Sequence, residues 1–137
     1  LAFGIVWRSL IQDLNTLKYS TNPYNINRMT MAAGIGALED EAYFAENCAA
    51  IVENRGFAAE ALKKLGFQMT DSKTNFLFAR HPGISGKELY LALKERGVLV
   101  RHFDDPMLTD YNRITVGSRA QMETLITTIQ TILEERL

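Results

Sequence analysis

Arg101 and Arg113 close the two ends of an acidic loop within the stretch Gly97–Gly117, and they are the residues best suited to chemistry. Val98–Arg101 and Arg113–Val116 are rich in β-branched residues and bounded by turn formers, which predicts two short strands. Side chains alternate along a strand, so Leu99 shares a face with Arg101, and Arg113 shares one with Thr115. If the strands pair antiparallel, Arg101 ends the first where Arg113 begins the second. Two guanidiniums at one end of a sheet repel unless an anion lies between them. Arginine's fork of donors suits a carboxylate or a phosphate, so the chemistry expected is anion binding. The plainer alternative is that Asp104, Asp105 and Asp110 pair with both arginines as surface salt bridges.

Other polar candidates carry less. Asn75 opens an otherwise apolar strand, as a buried residue bonding backbone or as a ligand contact. His81 precedes Pro82-Gly83 and reads as a solvated loop residue. His102 follows Arg101, so alternation turns it to the opposite face. Neither histidine has the spaced partners of a metal site, so no metal is expected. The sequence supports no catalytic triad and no glycine-rich phosphate loop, since Gly34-x-Gly36 does not follow a strand and reads as helix packing. Cys48 stands alone in an apolar-flanked helical setting and is expected to be a buried small hydrophobe.

The elements that must position these residues can be read in chain order. Trp7, Leu10, Ile11, Leu14 and Leu17 form one helical stripe that should stop near Lys18, before the turn formers Ser20–Asn25. A long helical stretch begins near Asn25 or Asn27 and ends at Gly66, with a break expected at Glu39-Asp40 and a bend near Arg55-Gly56. Phe67–Met69 and Asn75–Ala79 then read as strands. Ser85 and Glu88 have capping-box spacing and start a helix closed by Gly97. Ser118 and Gln121 repeat the spacing before a final amphipathic helix. The order β-β-α-β-β-α predicts an α+β domain, a small sheet with helices packed on one face, preceded by a long helix.

The net charge of −1 gives no reason to expect nucleic acid or an anionic membrane as partner. One cysteine, no membrane-spanning run and no signal peptide predict a cytoplasmic protein. The chain opens on Leu1 with an apolar run, so we expect it to be a piece of a larger core.

Several stretches together resemble the C-terminal part of the fold-type I pyridoxal-phosphate-dependent aminotransferases, and within them the histidinol-phosphate aminotransferases. The carriers are Pro23-Tyr24-Asn25, Ala37-Leu38-Glu39-Asp40, Arg55, Ser72-x-x-Asn75-Phe76, Gly97-Val-Leu-Val-Arg101 and Arg113-Ile-Thr-Val-Gly117. The resemblance implies that residues 1–24 are the tail of a large cofactor domain, 25–55 a connecting helix and 56–137 a small C-terminal domain. It implies pyridoxal 5′-phosphate as cofactor, held by a lysine outside this chain, so that the chain alone is inactive and contributes no catalytic residue. It further implies that Arg113 grips the substrate's phosphate or carboxylate, that Arg101 lines the same pocket, and that Asn75 supports it. Tyr24 and Asn25 match a loop near the active site at the interface of a homodimer, although a proline-linked turn and a helix cap also account for them. The implied substrates are histidinol phosphate or an amino acid, with glutamate and 2-oxoglutarate as the exchanging pair. The alternatives are a threonine-phosphate decarboxylase-like enzyme and a non-catalytic regulatory module that binds a small anion.

Overall fold

The computed structural model describes residues 5–21 and 26–136, apart from the side chain of Thr21. Tyr24 and Asn25, the two loop residues singled out above, lie outside the described residues. The chain divides into two compact units, residues 1–45 and 46–137.

The first unit holds helix α1 (Arg8–Thr21), helix α2 (Arg28–Glu39) and the start of helix α3 (Glu41–Lys64). α1 runs to Thr21 rather than stopping near Lys18, because the helix-breaking proline comes only at position 23. Asn27 is the N-cap of α2, its side chain accepting from Thr30 N at 2.8 Å. Asp40 makes the expected break. Its backbone N–H closes α2 on Gly36 O, and its carboxylate accepts from Tyr43 N at the start of α3. The stripe of Trp7, Leu10, Ile11, Leu14 and Leu17 forms as expected, and all five are exposed.

The second unit is the expected α+β layer. β1 (Gln68–Met69), β2 (Phe76–Arg80), β3 (Arg101–His102) and β4 (Asn112–Thr115) form an antiparallel sheet in the order β1-β2-β4-β3. Helices α4 (Gly86–Glu95) and α5 (Arg119–Glu134) pack with the second half of α3 over one face. Alternation chooses that face. Leu77 and Ala79 of β2 and Ile114 of β4 are buried there against Leu62 of α3, Leu89 and Leu93 of α4, and Leu125 and Ile129 of α5. α3 runs unbroken through Gly56. It joins the core only from Ile51 onward, so Cys48 lies before that point and is exposed rather than buried.

Helix ends follow local chemistry. Both capping boxes form, Ser85 with Glu88 and Ser118 with Gln121. Gly66 and Gly97 take φ of 89° and 79°, so α3 and α4 each end in a Schellman turn, with Phe67 N–H donating to Leu62 O and Val98 N–H to Leu93 O. His81, expected to be solvated, is tied down. Its Nε2–H donates to Leu65 O at 3.0 Å, its Nδ1 accepts from Gly83 N at 3.1 Å, and its ring packs on Phe67.

Candidate functional site

The site candidates stand on the sheet face turned away from the helices. Directly opposite residues of an antiparallel pair point to the same side. The register sets Phe78 against Arg113 and Arg113 against Arg101, so one row across three strands reads Phe-Arg-Arg. Arg101 and Arg113 are therefore nearest neighbours on one open face. The ladder of the edge strand is shorter than expected: Arg101 and His102 pair with β4, and Val98–Val100 lie outside the ladder.

Neither arginine pairs with a carboxylate among the described residues. The expected bridges to Asp104, Asp105 and Asp110 do not form. Asp104 turns instead toward Lys87 at 3.9 Å and His102 at 3.7 Å, and Asp105 accepts from Met107 N at 2.8 Å. Each guanidinium rests on an aromatic ring, Arg113 Cζ 5.4 Å from the centroid of Phe76 and Arg101 Cζ 5.5 Å from that of Phe103. Phe78 stacks on Tyr111 at 4.6 Å and meets Phe103 edge-on at 6.1 Å. Arg80 completes the layer, lying over Tyr111 and donating to Gln68 Oε1 at 3.0 Å. Chemically this is a surface of fixed cations on an apolar floor, with donors left free for an anion.

A hollow of about 370 Å³ opens beside Arg101, lined also by Tyr90, His102, Phe103, Asp104 and Asp105. A second, of about 470 Å³, lies between the Gly97–Val100 segment and α5 and has no charged residue in its lining. Arg101 thus lines the smaller hollow, and Arg113 lines neither.

Asn75 departs from its expected buried position. It is exposed and precedes β2, and its carbonyl accepts from Val116 N at 2.9 Å. It lies near a brace at the same end of the sheet, where Arg55 Nη1 donates to Thr74 O at 2.7 Å and Asn54 Nδ2 to Gly117 O at 3.1 Å. The sequence reading missed the aromatic floor and Asn112. Asn112 is 1% exposed, the one buried polar residue of this core among the described residues, and its place between Tyr111 and Arg113 in the alternation of β4 was the available signal.

Lys18, Lys63, Lys64, Lys73, Lys87 and Lys94 are exposed on the outer surfaces of helices and a loop. Among the described residues no group of three His, Cys, Asp or Glu side chains suits a metal, and no helix is long and apolar enough to cross a membrane.

This fold, with this series of motifs, belongs to a known class. Residues 9–129 match the family model of aminotransferase class I and II, and the chain belongs to that family. It is 40% identical over 134 residues to a histidinol-phosphate aminotransferase of Brachyspira hyodysenteriae, covering 98% of this chain and 38% of that protein. With a histidinol-phosphate aminotransferase of Syntrophus aciditrophicus it shares 44% identity over 126 residues, 92% of this chain and 35% of the other. The crystal structure of the histidinol-phosphate aminotransferase from Clostridium acetobutylicum superposes with a TM-score of 0.80 at 25% identity, covering 92% of this chain and 39% of that one. The chain therefore spans a little over a third of the length of the curated relatives it matches.

Proposed function

We infer that this chain supplies the substrate-anion grip of a pyridoxal-phosphate-dependent aminotransferase acting on histidinol phosphate. The observation that carries this reading is the Arg101–Arg113 pair: two guanidiniums opposite one another, on one face, without carboxylate partners among the described residues. A fold gains nothing from holding like charges together, and a phosphate dianion between them turns that repulsion into two charge-assisted contacts. In this reading Arg113 takes the anion through both arms of its fork, Arg101 takes the remaining oxygens, and the Phe76, Phe78 and Phe103 rings keep water from competing. Asn75 supports the pocket rim. Binding energy spent on this remote group orients the reacting end of the substrate.

The cofactor, its lysine and the transfer of the amino group belong to the rest of the intact, cytoplasmic, homodimeric protein. Residues 1–24 form the tail of its cofactor domain, 25–55 the connecting helix and 56–137 the small domain. The exposed stripe from Trp7 to Leu17 supports this, since an apolar face of that length is stable in water only when covered.

Arg113→Lys in the intact protein tests the reading. Lysine keeps the charge and loses the fork, so KM for the phosphorylated substrate should rise about tenfold to a hundredfold. Unchanged KM and kcat would remove Arg113 from the site.

A further inference from the structure

We propose that His102 and Asn112 are positioning residues that set Arg101 opposite Arg113, an inference that rests on the anion-grip reading. β3 has only two residues in its ladder, too few for backbone bonds alone to specify a register. A slip of one residue would turn Arg101 onto the helix-packed face and bring His102 out in its place.

The inner face of the same two strands carries the device. His102 is paired directly with Asn112, one step along from Arg101 and Arg113. Asn112 Nδ2 donates to Gly86 O at the start of α4 at 2.8 Å, so its Oδ1 is left to accept. His102 Nδ1 lies 3.2 Å from that oxygen and must therefore carry the hydrogen. The chain His102, Asn112, Gly86 thus runs from the edge strand through β4 to α4, with the Tyr90 ring of α4 stacked on the imidazole at 5.8 Å.

Two costs accompany this arrangement. His102 Nε2 is buried and has no hydrogen-bond partner, the nearest carboxylate oxygen, Asp104 Oδ1, standing 3.7 Å away. Gly86 must also stay free of a side chain, because a Cβ there would stand 2.5 Å from Thr109 O and 2.8 Å from the carbonyl carbon of Asp110. An apolar residue at 102 would escape the first cost. What only a donor at this position provides is a directional bond to Asn112, and a directional bond fixes register where apolar packing tolerates a slide.

The test compares His102→Leu, His102→Asn and Arg101→Lys in the intact protein. His102→Leu keeps the packing and loses the donor; the amide nitrogen of His102→Asn falls close to the place of Nδ1. We expect His102→Leu to raise KM for the phosphorylated substrate about tenfold with kcat nearly unchanged. Amide exchange should accelerate in residues 100–103 and stay slow in α5, and His102→Asn should restore both readouts. The inference is overturned if His102→Leu matches wild type in either readout while Arg101→Lys raises KM, or if His102→Asn is as impaired as His102→Leu. If Arg101→Lys leaves KM unmoved, the anion-grip reading of Arg101 fails instead, and faster exchange at 100–103 in His102→Leu still establishes the register role.

Discussion

Asn54, on α3, donates its side-chain amide to the carbonyl of Gly117, joining positions 63 residues apart at 3.1 Å. The bond ties the helix that enters the core to the junction where β4 passes into α5. Asn54→Ala should lower stability by about 1 kcal/mol, the net worth of a part-buried hydrogen bond, in urea unfolding. Asn54→Asp should cost more, because a carboxylate would face the same carbonyl. Equal stability of all three proteins would show the bond to be idle.

Gly86 and Gly97 should respond to alanine for different reasons. At Gly86 the added carbon meets backbone of residues 109 and 110, which cannot rotate away, so Gly86→Ala should cost about 1–3 kcal/mol or more. At Gly97 the space is open but φ is 79°, so Gly97→Ala should cost about 1–2 kcal/mol from conformation alone. Replacing Gly97 by Asn, which tolerates the left-handed region, should recover part of that loss; no such rescue is expected at Gly86.

Removing one arginine of the central pair should stabilise the empty fold. Like charges directly opposite on adjacent strands repel, and Arg113→Gln should raise the unfolding midpoint by the equivalent of about 0.2–1 kcal/mol at low salt. Inorganic phosphate should reverse the order, stabilising wild type and leaving Arg113→Gln unmoved. A melting series with and without phosphate reads both effects. A variant less stable than wild type in the absence of phosphate would contradict the strain.

Acid should weaken one capping box and spare the other. The Ser85 hydroxyl, then the Ser85 N–H, then Arg136 hold the Glu88 carboxyl below its ordinary value of 4.5. A depressed folded value means that the contribution is present above about pH 4.5 and disappears as pH falls through the folded value. The stability gap between wild type and Glu88→Gln should therefore shrink on acidification below that point. Gln121 fills the same role for α5 without a charge, so Gln121→Ala should cost the same above and below that pH.

Leu93 is fully buried between α4 and the sheet. Leu93→Ala should cost about 2–5 kcal/mol by chemical denaturation, with the larger values if the cavity does not collapse.

Much of the second unit was legible because its signals are local. The Ser85–Glu88 and Ser118–Gln121 boxes, Gly66 and Gly97 as helix ends, and alternation along β2 and β4 all depend on residues within a few positions of each other. Where the signal was weak, the reading slipped. Cys48 sits in an apolar-flanked helix, yet burial depends on what that helix meets, and α3 meets the core only beyond it. His81 looked solvated because its partners, Leu65 O and Gly83 N, come from a turn and a helix end that no spacing announces.

The same division holds at the site. Two arginines on strands that end and begin beside them are properties of residue type and alternation, and the sequence alone determined them. That neither is neutralised by Asp104, Asp105 or Asp110, that Phe76 and Phe103 lie beneath them, and that His102 faces Asn112 on the inner side of the same two strands were decided only by tertiary structure. The physical reason is that pairing across strands joins residues by register and sheet order, and the β1-β2-β4-β3 order places Phe78, Arg113 and Arg101 in one row from three separate parts of the chain.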